Sequence, residues 1–351
     1  MSADLRILVI GAGPTGLGAA WRLHELGHDN WDLYEAADHP GGLAASVTDA
    51  RGFVWDMGGH VLFSHYKYFD RLMVTAVGDA WVEHIREAWV WMRDRWIPYP
   101  FQNNIWRLPE DDLIACLTGL LDVHTAARSG PRQPPGTFRE WLLAGFGQGL
   151  CDTFMFPYNA KVWAYDPSRL DVGWMGERVA TVDLPRVLGN LVRRQDDVAW
   201  GPNSTFRFPL HGGTGSIWRQ VSARLPAARQ HFGRAVAAVD LTARHIVFDD
   251  GRTDRYDALI STMPLDVLLR TLRGRPDLSA HASAFVHSSS HIVGLGLEGK
   301  PPADLETKCC ERQPASFRKT RSGADRLMNE TRQYRHLLIG QLATSALLAA
   351  D

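Results

Sequence analysis

Residues 5–18 read LRILVIGAGPTGLG, and this stretch decides the fold of the first part of the chain. The mainly apolar run Leu5–Ile10 predicts a parallel strand that is buried on both faces. It leads into Gly11–Gly16, after which apolar side chains recur at helical spacing. A second strand is predicted over Trp31–Tyr34 and ends at Glu35. Strand, glycine turn, helix, strand and terminal acid in this order indicate a Rossmann-like unit that binds a dinucleotide.

The residues of this glycine turn (Gly11–Gly16) have separate physical tasks. Gly11 permits the tight turn, Gly13 lets the backbone approach a pyrophosphate, and Gly16 lets helix and strand pack closely. Pro14 and Thr15 open the helix, whose N-terminus offers N–H groups and partial positive charge to phosphates. The turn alone is compatible with either FAD or NAD.

The segments after the second strand favour FAD. The carboxylate of Glu35 can accept both ribose hydroxyls and disfavours a 2′-phosphate, so NADP is not expected at this turn. Gly41, Gly42 and Leu43 follow closely. In flavoproteins of the glutathione-reductase and amine-oxidase type, such a glycine pair continues the phosphate cradle.

Later strands complete the same pattern. Hairpin strands are predicted over Phe232–Val239 and Arg244–Phe248, and a further strand over Tyr256–Ser261 leads to Thr262. This order of elements closes the adenine side of the FAD fold in those enzymes.

Two glycines precede a histidine in the next block. Gly58 and Gly59 before His60 suggest backbone pressed close to a flat ring, the isoalloxazine by fold analogy. A tight turn beside a core histidine is the alternative. Because His60 and His65 with Asp56 fit no usual ligand spacing, we predict no metal site.

The amide loop (Pro98–Asn104, PYPFQNN) joins aromatic rings to three amides. Amides can read base edges while a ring stacks on the base. The alternative is a polar capping loop in which Asn104 is a helix N-cap. The sequence is helical in rhythm from Leu108 to Val192. Within it, Arg178 is available to fork onto a phosphate or to form a structural ion pair with Glu177.

Bulk composition excludes several partners. The 351 residues contain 38 Lys and Arg against 39 Asp and Glu, a formal charge of −1, so neither nucleic acid nor an acidic membrane surface is expected to bind. The four cysteines form no CxxC pair, which predicts a reducing, cytoplasmic location. No apolar run approaches the roughly 18 residues of a membrane span. The thirteen tryptophans are compatible with an aromatic core, with a ligand cleft walled by rings, or with both.

Several blocks together resemble one family. They are the glycine turn, GGHVLFSHYKYFD (58–70), PYPFQNN (98–104), MFPYNAKVWA (155–164), GERVA (176–180), WGPNSTFRFP (200–209) and GGTGSIW (212–218). In order and spacing, from about Leu5 to Lys308, they are similar to the eukaryote-like UDP-galactopyranose mutases.

The resemblance implies a reaction and its cofactors. This family interconverts UDP-galactopyranose and UDP-galactofuranose with FAD that must be reduced, although the reaction has no net redox change. The reduced FAD N5 acts as nucleophile at the anomeric carbon. In the eukaryote-like type NADPH reduces the flavin, and Arg93 and Arg95 are candidates for binding its extra phosphate.

The resemblance also implies roles for individual residues. His60 lies by the flavin N5 edge, while Arg178 and Asn203 belong to two segments that close over the diphosphate. Cofactor-binding residues are Gly11, Gly13, Pro14, Thr15, Gly16, Glu35, Gly41, Gly42, Leu43, Gly58, Gly59, His60 and Val236. The residues expected to reach the uridine are Tyr99, Phe101, Gln102, Tyr158, Asn159 and Trp163.

The expected organisation is α/β. A Rossmann-like FAD-binding domain with a parallel sheet (1–85 and 205–265) is interleaved with an all-helical substrate domain (100–200). An antiparallel sheet region comprises 86–99 and 266–308.

The match fades at Lys308-Cys309. We therefore expect 309–351 to be a divergent or poorly ordered tail, with one helix over Leu337–Ala350, and the family's C-terminal third to be lacking. Two alternatives to a working mutase stay open. One is a truncated inactive remnant that binds FAD or UDP-sugar, and the other is a different amine-oxidase-type flavin oxidoreductase.

Overall fold

The computed structural model describes most of the chain. The described residues are 5–58, 60, 62, 64, 66–85, 88–128, 133–175, 179–198 and 205–289, with only the backbone of 84–85, 293–296, 309–312 and 337–340. The helices are α1 Pro14–Glu25, α2 Lys67–Val77, α3 Glu110–Ala127, α4 Phe138–Leu150, α5 Phe156–Trp163, α6 Leu184–Arg193, α7 Gly215–Ala223, α8 Leu265–Thr271 and α9 Pro276–Ser279.

The strands are mostly short. They are β1 Ile7–Ile10, β2 Trp31–Tyr34, β3 Ser46–Thr48, β4 Val54–Asp56, β5 Trp81–Ile85, β6 Ala88–Met92, β7 Arg95–Pro98, β8 Thr205–Pro209, β9 Gln230–His231, β10 Val236–Asp240, β11 His245–Phe248, β12 Thr253–Arg255, β13 Ala258–Ser261, β14 Leu272–Arg273, β15 Val293–Gly296, β16 Cys309–Arg312 and β17 Leu337–Gly340.

The chain forms two compact units. Unit 1 contains residues 1–84 and 206–287, and unit 2 contains residues 85–205 and 288–351. The chain therefore passes between the units three times, and neither unit is one continuous segment.

A parallel sheet forms the centre of unit 1. Its order is β13-β1-β2-β9, and every residue of β1 and β2 is buried, as expected for strands covered on both faces. Asp32 is the polar exception within β2. Its carboxylate is paired with Arg6 at 2.8 Å and with His231 at 2.7 Å, which offsets the cost of burying its charge. The predicted α/β class with a Rossmann-like parallel sheet is confirmed.

A second layer in unit 1 confirms the predicted hairpin. β10 and β11 pair antiparallel, and β12 extends the sheet beyond β11. Val239 and Ile246 are paired across the hairpin and fully buried, in a core that also contains Leu8 of β1. The strands start later than predicted, at Val236 and His245.

Unit 2 is built on helices around an aromatic core. α3 and α4 pack so closely that a Cβ on Gly147 of α4 would lie 2.1 Å from the carbonyl oxygen of Gly119 in α3. Gly147 itself has φ +72°, a kink inside α4. Phe138, Phe146 and other apolar side chains between Val90 and Val187 fill the core. The predicted helical region is confirmed in α3 to α6.

Unit 2 also contains strands. The hairpin β6–β7 pairs antiparallel, and β16 adds to β6 in parallel. Alternation places Val90 and Ile97 in the helical core, while Trp91 and Trp96 are partly exposed.

The structure differs from expectation in two segments. Residues 266–287, expected in the sheet region with 86–99, lie in unit 1, where Leu268 of α8 and Leu272 of β14 pack against the core that contains Val239 of β10. The helix predicted over Leu337–Ala350 is wrong at its start. There β17 pairs antiparallel with β15, which satisfies backbone groups of this apolar segment. Of the predicted tail 309–351, the structure describes only β16 and β17.

Candidate functional site

The glycine turn in unit 1 adopts a geometry that only glycine tolerates at two positions. Gly11 has φ +99°, and a Cβ there would lie 2.2 Å from the Thr262 hydroxyl. A Cβ on Gly16 would lie 1.8 Å from the Gly11 carbonyl oxygen. Side chains at these positions would therefore force α1 away from β1. Thr262, at the end of β13, holds the turn by donating to the Ile10 carbonyl at 2.8 Å.

Gly13 differs from its neighbours because the space beside it is open. It is the N-cap of α1 in extended conformation, and a Cβ there would meet protein only at 3.8 Å. No side chain caps this helix, Pro14 occupies its first turn, and the first turn contains no acidic residue. Thr15 is exposed. The helix start thus presents its partial positive charge where an anion can approach.

The glycine pair (Gly41–Gly42) packs directly against this turn. Both residues have positive φ, +120° and +52°, and a Cβ on Gly42 would lie 3.0 Å from the Gly13 Cα. The Gly41 N–H donates to the Ala12 carbonyl at 2.9 Å. Residues that are far apart in sequence are therefore joined in one cradle lined by backbone.

Glu35 closes the other side of the cradle. Its carboxylate accepts from the Ala12 N–H at 2.6 Å and from the Ala37 N–H at 2.9 Å, and the side chain is partly exposed. The Glu35 carbonyl accepts from the Arg234 N–H at 2.8 Å, which places the start of β10, with Val236, beside the end of β2. A carboxylate oxygen has two lone pairs, so both oxygens can still accept from a ribose.

His60 is held next to the glycine pair. Its Nε2 lies 2.9 Å from the carbonyl oxygen of Leu43, and a Cβ on Gly58 would lie 3.2 Å from the same nitrogen. Gly58 has φ +127°, and the Leu43 side chain is 78% exposed. Predicted cofactor residues from the segments 41–43 and 58–60 thus come together, with Gly59 outside the described residues.

Sequence reasoning missed a set of supporting residues. Asp56 accepts from the Ser46 hydroxyl and from the Thr214 N–H, and Ser46 accepts from the Gly215 N–H at 2.7 Å. A Cβ on Gly215 would lie 2.3 Å from the Ser46 nitrogen. The start of α7 is therefore fastened to the hairpin β3–β4. The only sequence signal for it was the glycine-rich block 212–218.

In unit 2, the predicted uridine residues lie around a stack of rings. Phe101 stacks on Phe154 with centroids 3.9 Å apart, Phe154 stacks on Tyr158 at 4.8 Å, and Tyr99 lies 6.2 Å from Tyr158. Tyr99 and Tyr158 are partly exposed, whereas Phe101 is fully buried. The expectation that Phe101 reaches a ligand is therefore corrected: its ring supports the stack from within the core.

The side-chain amides of Gln102 and Asn104 in the amide loop differ in how many hydrogen bonds they form. Gln102 is 1% exposed, and its Nε2 donates to the Ala180 carbonyl at 2.7 Å. Its Oε1 is buried without a hydrogen-bond partner in the described part of the chain. Asn104 is fully used: its side-chain oxygen accepts from the Asp197 N–H, and its nitrogen contacts the carbonyls of Pro98, Pro100 and Asp197. Asn104 ties the loop together and does not cap a helix through its side chain.

Asn159 and Trp163 lie one helical turn apart on α5. The Asn159 amide donates to the Met155 carbonyl at 2.8 Å and accepts from the Trp163 indole at 3.3 Å. Asn159 is buried, and Trp163 is 37% exposed. A π-helical turn, Cys151–Met155, directly precedes α5.

The remaining predicted residues are either undescribed or engaged. Arg178 and Asn203 lie outside the described residues. Arg93 pairs with Asp112 at 2.7 Å, and Arg95 donates to the carbonyls of Arg107 and Leu108. Neither arginine is thus free for a phosphate.

Among the described residues, no three His, Cys, Asp or Glu side chains converge as metal ligands. Nor does any helix there combine the length and apolar character needed to cross a bilayer.

Comparison with known proteins defines the class. A family model described as flavin-containing amine oxidoreductase matches residues 14–296. Because this match covers most of the chain, the protein belongs to that family.

Solved structures extend the similarity. A reduced UDP-galactopyranose mutase is 48% identical, with TM-score 0.84, over 88% of this chain. The resemblance found in the motifs is thereby confirmed. A fatty acid isomerase from P. acnes, 18% identical with TM-score 0.57, shares the fold.

Coverage of the relatives is partial. This chain covers 66% of the mutase chain. Zeta-carotene desaturase of Zea mays is 41% identical over 75 residues, which are 21% of this chain and 13% of the desaturase.

Proposed function

We propose that unit 1 binds FAD and that unit 2 binds the uridine of a UDP-sugar. The observation that supports FAD most strongly is the cradle formed by the glycine turn and the glycine pair. Its central residue, Gly13, has open space where a pyrophosphate would approach, while the glycines around it have none. Glu35 fits the adenosine ribose, and Leu43, Gly58 and His60 fit the flavin side of the same cofactor. The described residues of this cradle therefore fit FAD.

The proposed reaction is the interconversion of UDP-galactopyranose and UDP-galactofuranose. Reduced FAD would supply the nucleophile at the anomeric carbon. The residues of this chain would bind the UDP-sugar and orient it. Tyr99 and Tyr158 offer ring faces to the uracil. The Oε1 of Gln102, which is buried without a partner among the described residues, would accept from a base N–H once neighbouring side chains move to admit the base.

Three further assignments rest on the resemblance. Arg178 would stabilise negative charge on the departing UDP diphosphate, and Asn203 would hold the same group. NADPH would reduce the flavin. Because Arg93 and Arg95 are engaged elsewhere, we assign its extra phosphate to neither.

Cofactor binding can be tested with two alanine substitutions in α1 and its cap. Gly13→Ala leaves the protein unstrained, since the added methyl meets no protein atom within 3.4 Å, but it fills the approach to the pyrophosphate. We expect FAD affinity to fall at least about tenfold, which is about 1.4 kcal/mol. The flavin-free protein should keep its urea midpoint.

Gly18→Ala is the matched control. A methyl there meets nothing within 4 Å, so FAD affinity should match the parent, measured by flavin fluorescence quenching. Equal FAD affinity in Gly13→Ala and the parent would remove the cradle from the proposal.

Turnover distinguishes the mutase from its alternatives. The protein is reduced with dithionite under anaerobic conditions, and UDP-galactofuranose is added. Its expected conversion to UDP-galactopyranose is followed by chromatography. Conversion with oxidised protein alone, or net oxidation of an added amine, would contradict the proposal. Binding of UDP and FAD without conversion would indicate a binding remnant.

A further inference from the structure

Unit 2 contains a pocket of about 670 Å³ that is lined by none of the proposed uridine residues. Its walls come from the turn end of the β6–β7 hairpin, the 3-10 turn before α3, the first turn of α3 and the end of α6. The volume is within the range of about 300–1,000 Å³ that is typical of small-molecule sites.

Three indoles and three leucines (Leu108, Leu113 and Leu191) form the apolar part of this pocket. Trp91 and Trp96 are paired across the hairpin with ring centroids 4.9 Å apart and planes at 61°. Their mutual angle presents two differently oriented ring faces. Trp106 is the third indole, and its buried ring N–H has no hydrogen-bond partner among the described residues.

The charged residues of the pocket fall into two groups. Arg95 donates to backbone carbonyls, and Arg107 pairs with Asp196 at 2.6 Å, so both are engaged. Asp94, Glu110 and Arg194 line the pocket too. Within the described part of the chain, the side chains of these three have no hydrogen-bond or ion-pair partner.

This charge balance selects the class of ligand. Arg95 and Arg194 offset the charges of Asp94 and Glu110, and Asp196 offsets that of Arg107, so the pocket carries no formal net charge. Such a pocket favours neither an anion such as phosphate nor a cation. A neutral ligand with many hydroxyl groups suits it, because hydroxyls donate to carboxylates and accept from a guanidinium. Its apolar C–H face would pack on an indole.

We propose that this tryptophan-lined pocket binds a neutral hexose unit, stacked on Trp91 or Trp96 and hydrogen-bonded to Asp94, Glu110 and Arg194. The site is independent of the proposed mutase activity, since it shares no residue with the predicted uridine or flavin sites.

The test uses the full-length protein with methyl β-D-galactopyranoside, methyl β-D-glucopyranoside and lactose as probes. Saturation-transfer-difference NMR should show transfer to the ring C–H protons of at least one probe. Excess UDP should leave the signal unchanged. A stronger signal for the disaccharide would identify the end of a glycan as the source, and equal signals a free sugar.

A set of variants tests whether the signal comes from the pocket. Asp94→Asn keeps the turn, because asparagine tolerates the φ of +56° found there. It should weaken probe binding about tenfold, the effect of losing a charge-assisted hydrogen bond. Either Trp91→Ala or Trp96→Ala should abolish binding, depending on which indole stacks on the sugar, and the matching Trp91→Phe or Trp96→Phe should keep part of it. Asp122→Asn, on an exposed part of α3, should bind like the parent.

Several results would overturn the proposal. These are absence of transfer for every probe at 50-fold excess over protein (roughly the upper working ratio), displacement of the probe by UDP, or equal binding by Asp94→Asn and the parent. Binding of choline or inorganic phosphate in place of the sugars would also contradict it.

Discussion

At the scale of single residues, Gln102 combines a buried side chain with an unused acceptor. Gln102→Met removes this lone oxygen together with the bond to the Ala180 carbonyl. The Ala180 carbonyl, which is partly exposed, loses its protein partner, so we expect the free energy of unfolding to fall by about 1 kcal/mol. UDP affinity should nevertheless fall about tenfold, as measured by calorimetric titration. Unchanged UDP affinity would exclude Gln102 from base recognition.

Asn104 provides the contrast at the same scale. It is fully buried, and all its polar atoms are bonded within the amide loop and to Asp197. Asn104→Ala leaves those backbone groups without partners, so we expect a loss of about 2–3 kcal/mol in urea unfolding. If Asn104→Ala were as stable as Gln102→Met, the assignment of a structural role to Asn104 and of a ligand-binding role to Gln102 would be wrong.

Two buried thiols predict how stability depends on pH. Burial raises the pKa of Cys116 to about 11 and that of Cys151 to about 12. In the unfolded chain these thiols ionise near pH 8.5. The contribution of these two thiols to the free energy of unfolding is therefore fully present below that pH. It is lost as the pH rises towards 11, because the thiols of the unfolded state release their protons first. As the pH is raised from about 8.5 to about 10.5, the urea concentration at the unfolding midpoint should decrease.

The double variant Cys116→Ala/Cys151→Ala isolates this effect. It should be less stable than the parent at pH 7.5, because each truncation leaves a cavity. Its urea midpoint should decline less steeply with pH. Parallel pH profiles would mean that the thiols do not cause the loss.

At the scale of elements, the crossing of α3 and α4 depends on glycine. Gly147→Ala would place a methyl 2.1 Å from the Gly119 carbonyl oxygen, which is a steric clash at the helix crossing. It would also strain the backbone, because φ is +72° at this position. We expect a loss of more than about 3 kcal/mol in free energy of unfolding. Gly145→Ala, in the same helix with open space, should gain up to about 1 kcal/mol. Equal effects of the two substitutions would contradict the close crossing.

The same elements show what the sequence could predict. The strands β1 and β2 and the glycine turn follow from short-range patterns, because apolar runs, glycines and a terminal acid each act on nearby backbone. The kink at Gly147 depends on α3, and the burial of Phe101 depends on Phe154, more than fifty residues later. Such contacts leave no local pattern, so a ring that looked suited to a ligand belongs to the core.

At the scale of the whole molecule, the two units differ in how their cores are assembled. The core of unit 2 is formed by residues between Val90 and Val187, all within the inserted segment 85–205. The cores of unit 1 combine residues before 84, such as Leu8 and Leu17, with residues after 206. The inserted segment therefore has its own core, whereas residues 1–84 do not.

This difference predicts the behaviour of fragments. Residues 85–205 expressed alone should fold, with helical far-UV circular dichroism and a cooperative urea transition, because burying this core does not require unit 1. Residues 1–84 alone should stay unfolded, since both of their cores lack the buried side chains that residues 206–287 contribute. Joining 1–84 to 206–287 through a short Gly-Ser linker should restore folding and FAD binding. A non-cooperative transition for 85–205 would show that its core is insufficient without the strands β15 to β17. Failure of the joined fragment to bind FAD would place essential cofactor contacts outside unit 1.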